Sequence, residues 1–172
     1  MTKILIFSDL HYASGTLRGA IETHPEAEYA IFLGDGLRKF RDILKDYPKL
    51  AAACVKGNCD LAVDYDTLHT PVVQSTVYEG VRVFFCHGHT FKVKDAVIGV
   101  SALTATAKKD GARIALFGHT HRPFCEEYDY GNGERITVFN PGSIGDPPMG
   151  TSPSYGVLTV NGEDFEISHE TV

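Results

Sequence analysis

Aspartate and histidine stand in this sequence in a pattern that a metal could use. Of eight histidines, five fall in three short groups: His11, His87 with His89, and His119 with His121. Asp9-Leu10-His11, Gly34-Asp35, Gly57-Asn58-Cys59-Asp60, His87-Gly88-His89 and Gly118-His119-Thr120-His121 place carboxylate, amide and imidazole donors at five points along the chain. Imidazole is both the commonest metal-binding side chain and the usual proton carrier near neutral pH. Mixed with carboxylates and one amide oxygen, it suits Zn, Mn, Fe or Co rather than copper thiolate chemistry. Asp9, His11, Asp35, Asn58, His87, His119 and His121 are more donors than one tetrahedral ion takes. Two ions sharing a bridging carboxylate would use them all. Metal pairs roughly 3.5–4 Å apart recur in displacement at phosphorus, where they hold the attacking and departing oxygens.

Each donor group follows an apolar run of strand length. Thr2 to Ser8, Glu28 to Leu33 and Leu50 to Val55 read as buried strands, with helical patterns over Leu17 to Thr23 and Leu37 to Asp46 between them. This β-α-β-α-β alternation predicts a partly parallel sheet covered by helices. Val72 to Tyr78 and Val81 to Cys86 form a hairpin pattern about Glu79-Gly80, and Lys94 to Lys109 reads as a helix. Arg113 to Phe117 is another strand. Gly131-Asn132-Gly133 and Asn161-Gly162 mark later hairpins, with an extended loop at Pro147, Pro148 and Pro153. Ligands of open α/β sheets bind outside the carboxyl ends of the strands, so runs lying side by side would deliver their terminal donors to one cleft. The i, i+2 spacing of Asp9/His11 and His119/His121 predicts side chains pointing the same way from extended backbone. Glycines directly before Asp35, Asn58 and His119 remove bulk beside a ligand. A single Asp-x-His or Gly-Asp is ordinary loop chemistry, but donors at the end of nearly every strand are not.

Composition narrows the class. The 172 residues, 43% hydrophobic and 22% charged, suffice for one globular domain over 1–172. The net charge of −6 argues against holding nucleic acid by general electrostatics. No apolar run approaches the ~20 residues of a membrane helix, and Asp9 and His11 interrupt the layout of a signal peptide. The four cysteines (Cys54, Cys59, Cys86, Cys125) form no C-x-x-C pair, which speaks against a Cys-rich zinc site or a disulfide framework. A cytoplasmic protein is the expectation.

The ordered motifs D-x-H, G-D, G-N-C-D, H and G-H-x-H together resemble the calcineurin-like metallophosphoesterase superfamily, from Thr2 to about Ser143. With the short length, H-G-H, and Asn140-Pro141-Gly142-Ser143, they are similar to its compact YfcE-type phosphodiesterase branch. The resemblance implies an α/β fold with two mixed β-sheets sandwiched between helices and a dimetal site at the strand ends. It implies two divalent ions, Mn first and Fe, Zn, Ni or Co as alternatives. Asp9, His11 and His121 would hold one ion and Asn58, His87 and His119 the other, with Asp35 bridging; Asp35, Asn58 and His119 would serve catalysis. A water bridging the ions would be the nucleophile on a small phosphodiester, and the ions would supply the positive charge that the acidic chain lacks. A homodimer or higher homo-oligomer is left open. A silent interaction scaffold, as in the similar retromer subunit with its eroded motifs, and a phosphomonoesterase are the alternatives. The intact donor set favours an enzyme.

Cys59 stands where many members of this superfamily carry a His that helps protonate the leaving oxygen. A thiol of ordinary pKa ~8.5 is a poor stand-in for that acid, so diesters with good leaving groups should be preferred; as a plain structural residue, Cys59 would be a small half-buried filler. His89 could orient His87 or lie free in its loop. Asp60 could hold Asn58 or Lys56, or be a solvated loop acid. Arg38 and Arg122 sit beside motifs and could contact substrate phosphate, though exposed salt bridges are the first expectation; His24, His69 and His169 are expected at the surface. Phe7, Phe32, Phe84, Phe85 and Phe117 are expected in the core.

Overall fold

An apolar run with no polar face needs cover on both sides, and the first strands find it. In the computed structural model, which describes residues 1–61, 65–95, 98–129, 131 and 133–172, Thr2–Phe7 (β1), Tyr29–Phe32 (β2) and Ala51–Cys54 (β3) pair in parallel. Ser14–Thr23 (α1) and Leu37–Leu44 (α2) make the crossovers. Val73–Tyr78 (β4), Val81–Cys86 (β5), Ile114–Leu116 (β6), Pro123–Asp129 (β7) and Arg135–Pro141 (β8) build a second sheet, and Ser154–Asn161 (β9) and Asp164–Thr171 (β10) return to the first. The strand orders are β10-β9-β1-β2-β3 and β4-β5-β6-β8-β7. Both sheets are mixed, since β5, β6 and β8 run parallel while β4, β7, β9 and β10 pair antiparallel.

Side-chain alternation along β1 divides the core. Ile4 and Ile6 meet Val83, Phe85, Leu116 and Phe139 between the sheets, while Leu5 and Phe7 face Leu17 and Ile21 of α1 and Phe40 of α2. Across the second sheet Phe84, Cys86, Ala115 and Phe117 pack on Leu103 and Ala107 of Gly99–Lys109 (α4). The layers are therefore helix, sheet, sheet, helix, as expected, and Phe7, Phe32, Phe84, Phe85 and Phe117 are all buried.

Differences from the sequence reading lie at element ends. The helix expected from Lys94 starts at Gly99, where a Cβ would lie 2.4 Å from the Val93 Cα, so only glycine lets the first turn pack there. A 3-10 turn at His89–Phe91 precedes it, and 96–97 lie outside the described residues. The first helix begins earlier than expected, at Ser14. A short helix, Tyr65–His69 (α3), lies between β3 and β4, where no helix is expected from the sequence. Asn161 closes β9, so that turn falls one residue later, on Gly162-Glu163. Asn132 of the other expected turn lies outside the described residues.

Glu79 and Gly80 form the expected two-residue hairpin turn, both with positive φ (47° and 100°) as such tight turns require. The Glu79 carboxylate then fastens the two sheets together. It accepts hydrogen bonds from Thr2 Oγ1 at 2.6 Å at the start of β1 and from Gly162 N at 2.9 Å after β9. Those bonds hold its pKa down at about 2, against an ordinary value of ~4.3. A carboxylate depressed on folding contributes stability above its unfolded value and loses that contribution as pH falls through the folded one. Glu79→Gln should therefore lower Tm by a few degrees at pH 7, and the gap should narrow below pH ~4.3 and close near pH ~2. Thermal unfolding of both proteins across that range is the check; a gap independent of pH would contradict it.

Candidate metal centre

The donor groups converge, though from two sheets rather than one. Asp9 and His11 follow β1, Asp35 follows β2 and Asn58 follows β3; His87 follows β5, and His119 and His121 follow β6. The carboxyl ends of both sheets open on the same side. The reason given for the i, i+2 spacing needs correcting. Asp9, His11, Asp35, His119 and His121 have φ of 54°, 46°, 61°, 68° and 60°, so they are left-handed, not extended. Only two other non-glycine residues, Glu79 and Lys92, share that conformation among the described residues. Left-handed backbone costs an L-residue roughly 1–2 kcal/mol, and its concentration at the donors marks the place where surrounding structure imposes it.

Two sets of donor atoms result. Asp9, His11 and His121 each offer an atom within 4.8 Å of the others, and so do Asp9, Asp35 and His87. Asp9 Oδ1 and His11 Nε2 are buried, and among the described residues neither has a hydrogen-bond partner except Asp9 Oδ1 when His121 Nε2 carries a proton. His121 Nδ1 donates to the Asp146 carbonyl at 2.6 Å, which turns its Nε2 toward Asp9 Oδ1, 3.1 Å away. His87 repeats the device: Nδ1 donates to the Leu33 carbonyl at 2.8 Å, and Nε2 stands 3.4 Å from Asp35 Oδ2 and 3.1 Å from Asn58 Oδ1. A ligating histidine is ordinarily fixed in this way, by its second nitrogen. Lone pairs from carboxylate, imidazole and amide thus face one another with few protons between them, and such a set fits cations. His119 belongs to neither three-residue group, its ring 5.0 Å from that of His87, while Asn58 Oδ1 adjoins the second group at His87. Asp35 also lies against the first set, because its carbonyl accepts the backbone N–H of Leu10 and His11.

Proton affinities follow the same field. Burial disfavours the Asp35 charge, yet the His87 hydrogen bond and charge, with the Cys59 N–H at 2.8 Å, hold its carboxyl well below the usual range. Burial opposes charge on His87 too, but Asp35 and Asp9 raise its pKa; Asp9 does the same for His121 against burial. Burial and the His87 charge push His119 down to about 4, leaving a neutral imidazole. The field that draws protons to His87 and His121 also attracts metal cations.

Residues outside the expected donor set hold these loops. Asp60 is not a solvated acid, and it holds the Lys56–Asn58 stretch through the Gly57 N–H rather than through either side chain. Its carboxylate accepts the N–H groups of Asp35, Gly36, Leu37 and Gly57, each at 2.8 Å. It therefore caps α2, whose own N-cap, Gly36, has no side chain, and ties the β2 loop to the β3 loop. Gly57 and Gly118 permit close approach: a Cβ would lie 2.0 Å from Asp35 Oδ1 and 1.9 Å from Ser8 Oγ, respectively. Ser8 Oγ and His119 N both donate to Asp9 Oδ2, leaving Oδ1 to the site. Buried Asn140 donates to Gly118 O and Thr120 Oγ1, and Ser143 Oγ donates to Asp9 O. The N-P-G-S motif is the sequence signal for the last two, and the closing position of G-N-C-D is the signal for Asp60.

Other expectations need correction. Cys59 is exposed, not half-buried; partial desolvation at its sulfur and the Asp35 carboxylate push the thiol up to about 11. Arg38 and Arg122 make no salt bridge among the described residues. His24 is buried, with Nε2 3.0 Å from both Tyr155 Oη and Glu170 Oε2. His169 stacks on Phe139 and bonds the Asn140 carbonyl; His69 is exposed as expected. His89 Nδ1 is buried without a partner among the described residues, its ring 5.4 Å from His87, so it does not hold His87 through that nitrogen.

Asp60→Ala removes the acceptor of four amides at once. It should cost at least ~2 kcal/mol of stability and weaken metal uptake, because the Asp35 and Asn58 loops lose their common anchor. Urea denaturation and metal analysis check this; unchanged stability would contradict the role.

Comparison with known proteins bears on the fold and the site together. Residues 2–163 match the model of the calcineurin-like phosphoesterase superfamily domain. Phosphodiesterase YfcE of Escherichia coli K12 is 32% identical over 177 residues, covering 92% of this chain and 88% of that protein. The solved structure of E. coli YfcE, described as a phosphoesterase, superposes with a TM-score of 0.64 at 30% identity, over 92% of this chain and 88% of that one. Zinc-complexed Vps29 of Entamoeba histolytica shares the fold, with a TM-score of 0.76 at 20% identity over 99% of this chain and 92% of that one. The paired sheets, the strand-end donors and the family match agree: the chain belongs to the calcineurin-like phosphoesterase superfamily.

Proposed function

We propose that this protein is a divalent-metal-dependent phosphodiesterase, a single domain over 1–172 that hydrolyses a small phosphodiester in the cytoplasm. The observation that carries the reading is the gathering of Asp9, His11 and His121 donor atoms within 4.8 Å of one another, with His11 Nε2 buried and without a hydrogen-bond partner among the described residues. Asp9, His11 and His121 would hold one ion and Asn58, His87 and His119 the other, with Asp35 shared. Two such ions, Mn foremost, supply a water of lowered pKa and positive charge for the phosphate oxygens. The protein orients the donors. Leu33 and Asp146 carbonyls fix the His87 and His121 tautomers, and Asp60 fixes the Asp35 loop. The kinship with E. coli phosphodiesterase YfcE supports diesters as the substrate class.

Asp35→Ala removes the shared carboxylate. Turnover of bis(p-nitrophenyl) phosphate after Mn addition should fall by at least ~100-fold; full activity would refute the bridging assignment. The wild type should hydrolyse that diester faster than p-nitrophenyl phosphate, lose activity to a chelator and regain it with Mn. Silence toward both substrates would overturn the function.

Cys59 places no imidazole beside the site to protonate a leaving oxygen. Rates across aryl diesters should therefore fall steeply as leaving-group pKa rises, and Cys59→His should flatten that dependence by aiding the poorest leaving groups, on the order of 10-fold. A flat dependence in the wild type would contradict this.

A further inference from the structure

The candidate metal centre opens into a cleft of about 650 Å³ bounded by His11 and Cys59 at its inner end. That volume is ample for a nucleotide-sized ligand. Its outer walls carry Tyr12, Leu61, Arg38 and Lys39. Tyr12 is 91% and Leu61 70% exposed, large apolar surface beside a polar centre. Lys39 Nζ donates to the Tyr12 carbonyl at 2.9 Å and lies 5.7 Å from the Tyr12 ring centre, which fixes Tyr12 at the rim. Arg38 lies in the first turn of α2, is exposed, and has no hydrogen bond or ion pair to its guanidinium among the described residues. The two acids of the cleft are engaged: Asp60 by four amides, and Asp42 by Lys45 at 2.7 Å. An unpaired guanidinium is suited to a phosphate, and an exposed ring to a flat aromatic group. Neither is among the candidate metal donors, and both line the same cleft as His11. A second cleft, of about 360 Å³, adjoins on the His119 and His121 side, leaving room for the other arm of a diester. The His11 and His121 rings, 5.4 Å apart, form the boundary.

We infer that Arg38 and Tyr12 form a specificity site for a diester bearing a second, terminal phosphate and a flat base, the chemistry of a short 5′-phosphorylated nucleotide. The inference rests on the phosphodiesterase reading for its reaction, though not for its binding. With 5′-phosphorylated diadenylate, pApA, one water is consumed, the bridging P–O bond to the 3′ oxygen breaks, that oxygen takes a proton, and two molecules of adenosine 5′-monophosphate result.

Calorimetric titration of chelator-treated protein with pApA and with unphosphorylated ApA tests the site without turnover. Wild type should bind pApA at least ~10-fold more tightly, as an Arg–phosphate contact warrants. Arg38→Ala should bring the two within twofold, and Arg38→Lys should retain part of the preference. Tyr12→Ala should weaken both by about fivefold or more while keeping the ratio. The same preference should appear in kcat/KM for the Mn-loaded enzyme. Equal binding of pApA and ApA by wild type, or a preference that survives Arg38→Ala, overturns the inference even if bis(p-nitrophenyl) phosphate is cleaved. The preference in binding, with no turnover of any diester, supports the cleft and overturns the phosphodiesterase reading instead.

Discussion

Buried acceptors facing one another are the constraint on which this structure turns. Asp9 and Asp35 sit in the interior with imidazole nitrogens around them, and two carboxylates in such surroundings repel each other and lose hydration. Protons on His87 and His121 relieve part of this, and cations would relieve it more fully. Fold and loops serve that juxtaposition. Two sheets packed face to face bring five strand ends to one edge of the sandwich, and the loops that follow adopt left-handed backbone at five donor residues.

Such strain persists only where other interactions over-determine it. Here they are polar and directional. Asp60 grips two loops through four amides, while Ser8 and His119 N fix one oxygen of Asp9. Asn140 and Ser143 brace the β6 and β1 loops from the end of β8. Apolar packing does the opposite job. The layer between the sheets keeps the strand ends in register, and Glu79 fastens the two sheets through the starts and turns of their strands. An apolar body with polar loops fixed at its strand ends is a common division in proteins whose chemistry sits there.

Much of this was legible in the sequence because its signals were local. The runs around Ile4, Ile31 and Phe85 and the turn at Glu79-Gly80 are set by apolar patterning and turn chemistry, and they stand where those rules put them. Residue type and position after a strand singled out seven side chains, and five of them, Asp9, His11, Asp35, His87 and His121, fall into the two close groups of donor atoms. The interactions between distant segments were less legible. Nothing in Asp60 alone announces that its carboxylate will cap a helix that begins 23 residues earlier. The same holds for His24, whose burial depends on Tyr155 and Glu170 arriving from β9 and β10. The left-handed φ of Asp9 and His119 is likewise imposed by tertiary contacts, against the intrinsic preference of those residues.

Crystals grown with manganese, measured at its absorption edge, address the central premise most directly. Two anomalous peaks per chain are predicted, one enclosed by Asp9, His11 and His121 and the other adjoining His87 and Asp35. A map without signal at those side chains, from protein whose fold is intact, would mean that the facing lone pairs hold no cation, and the account would fail.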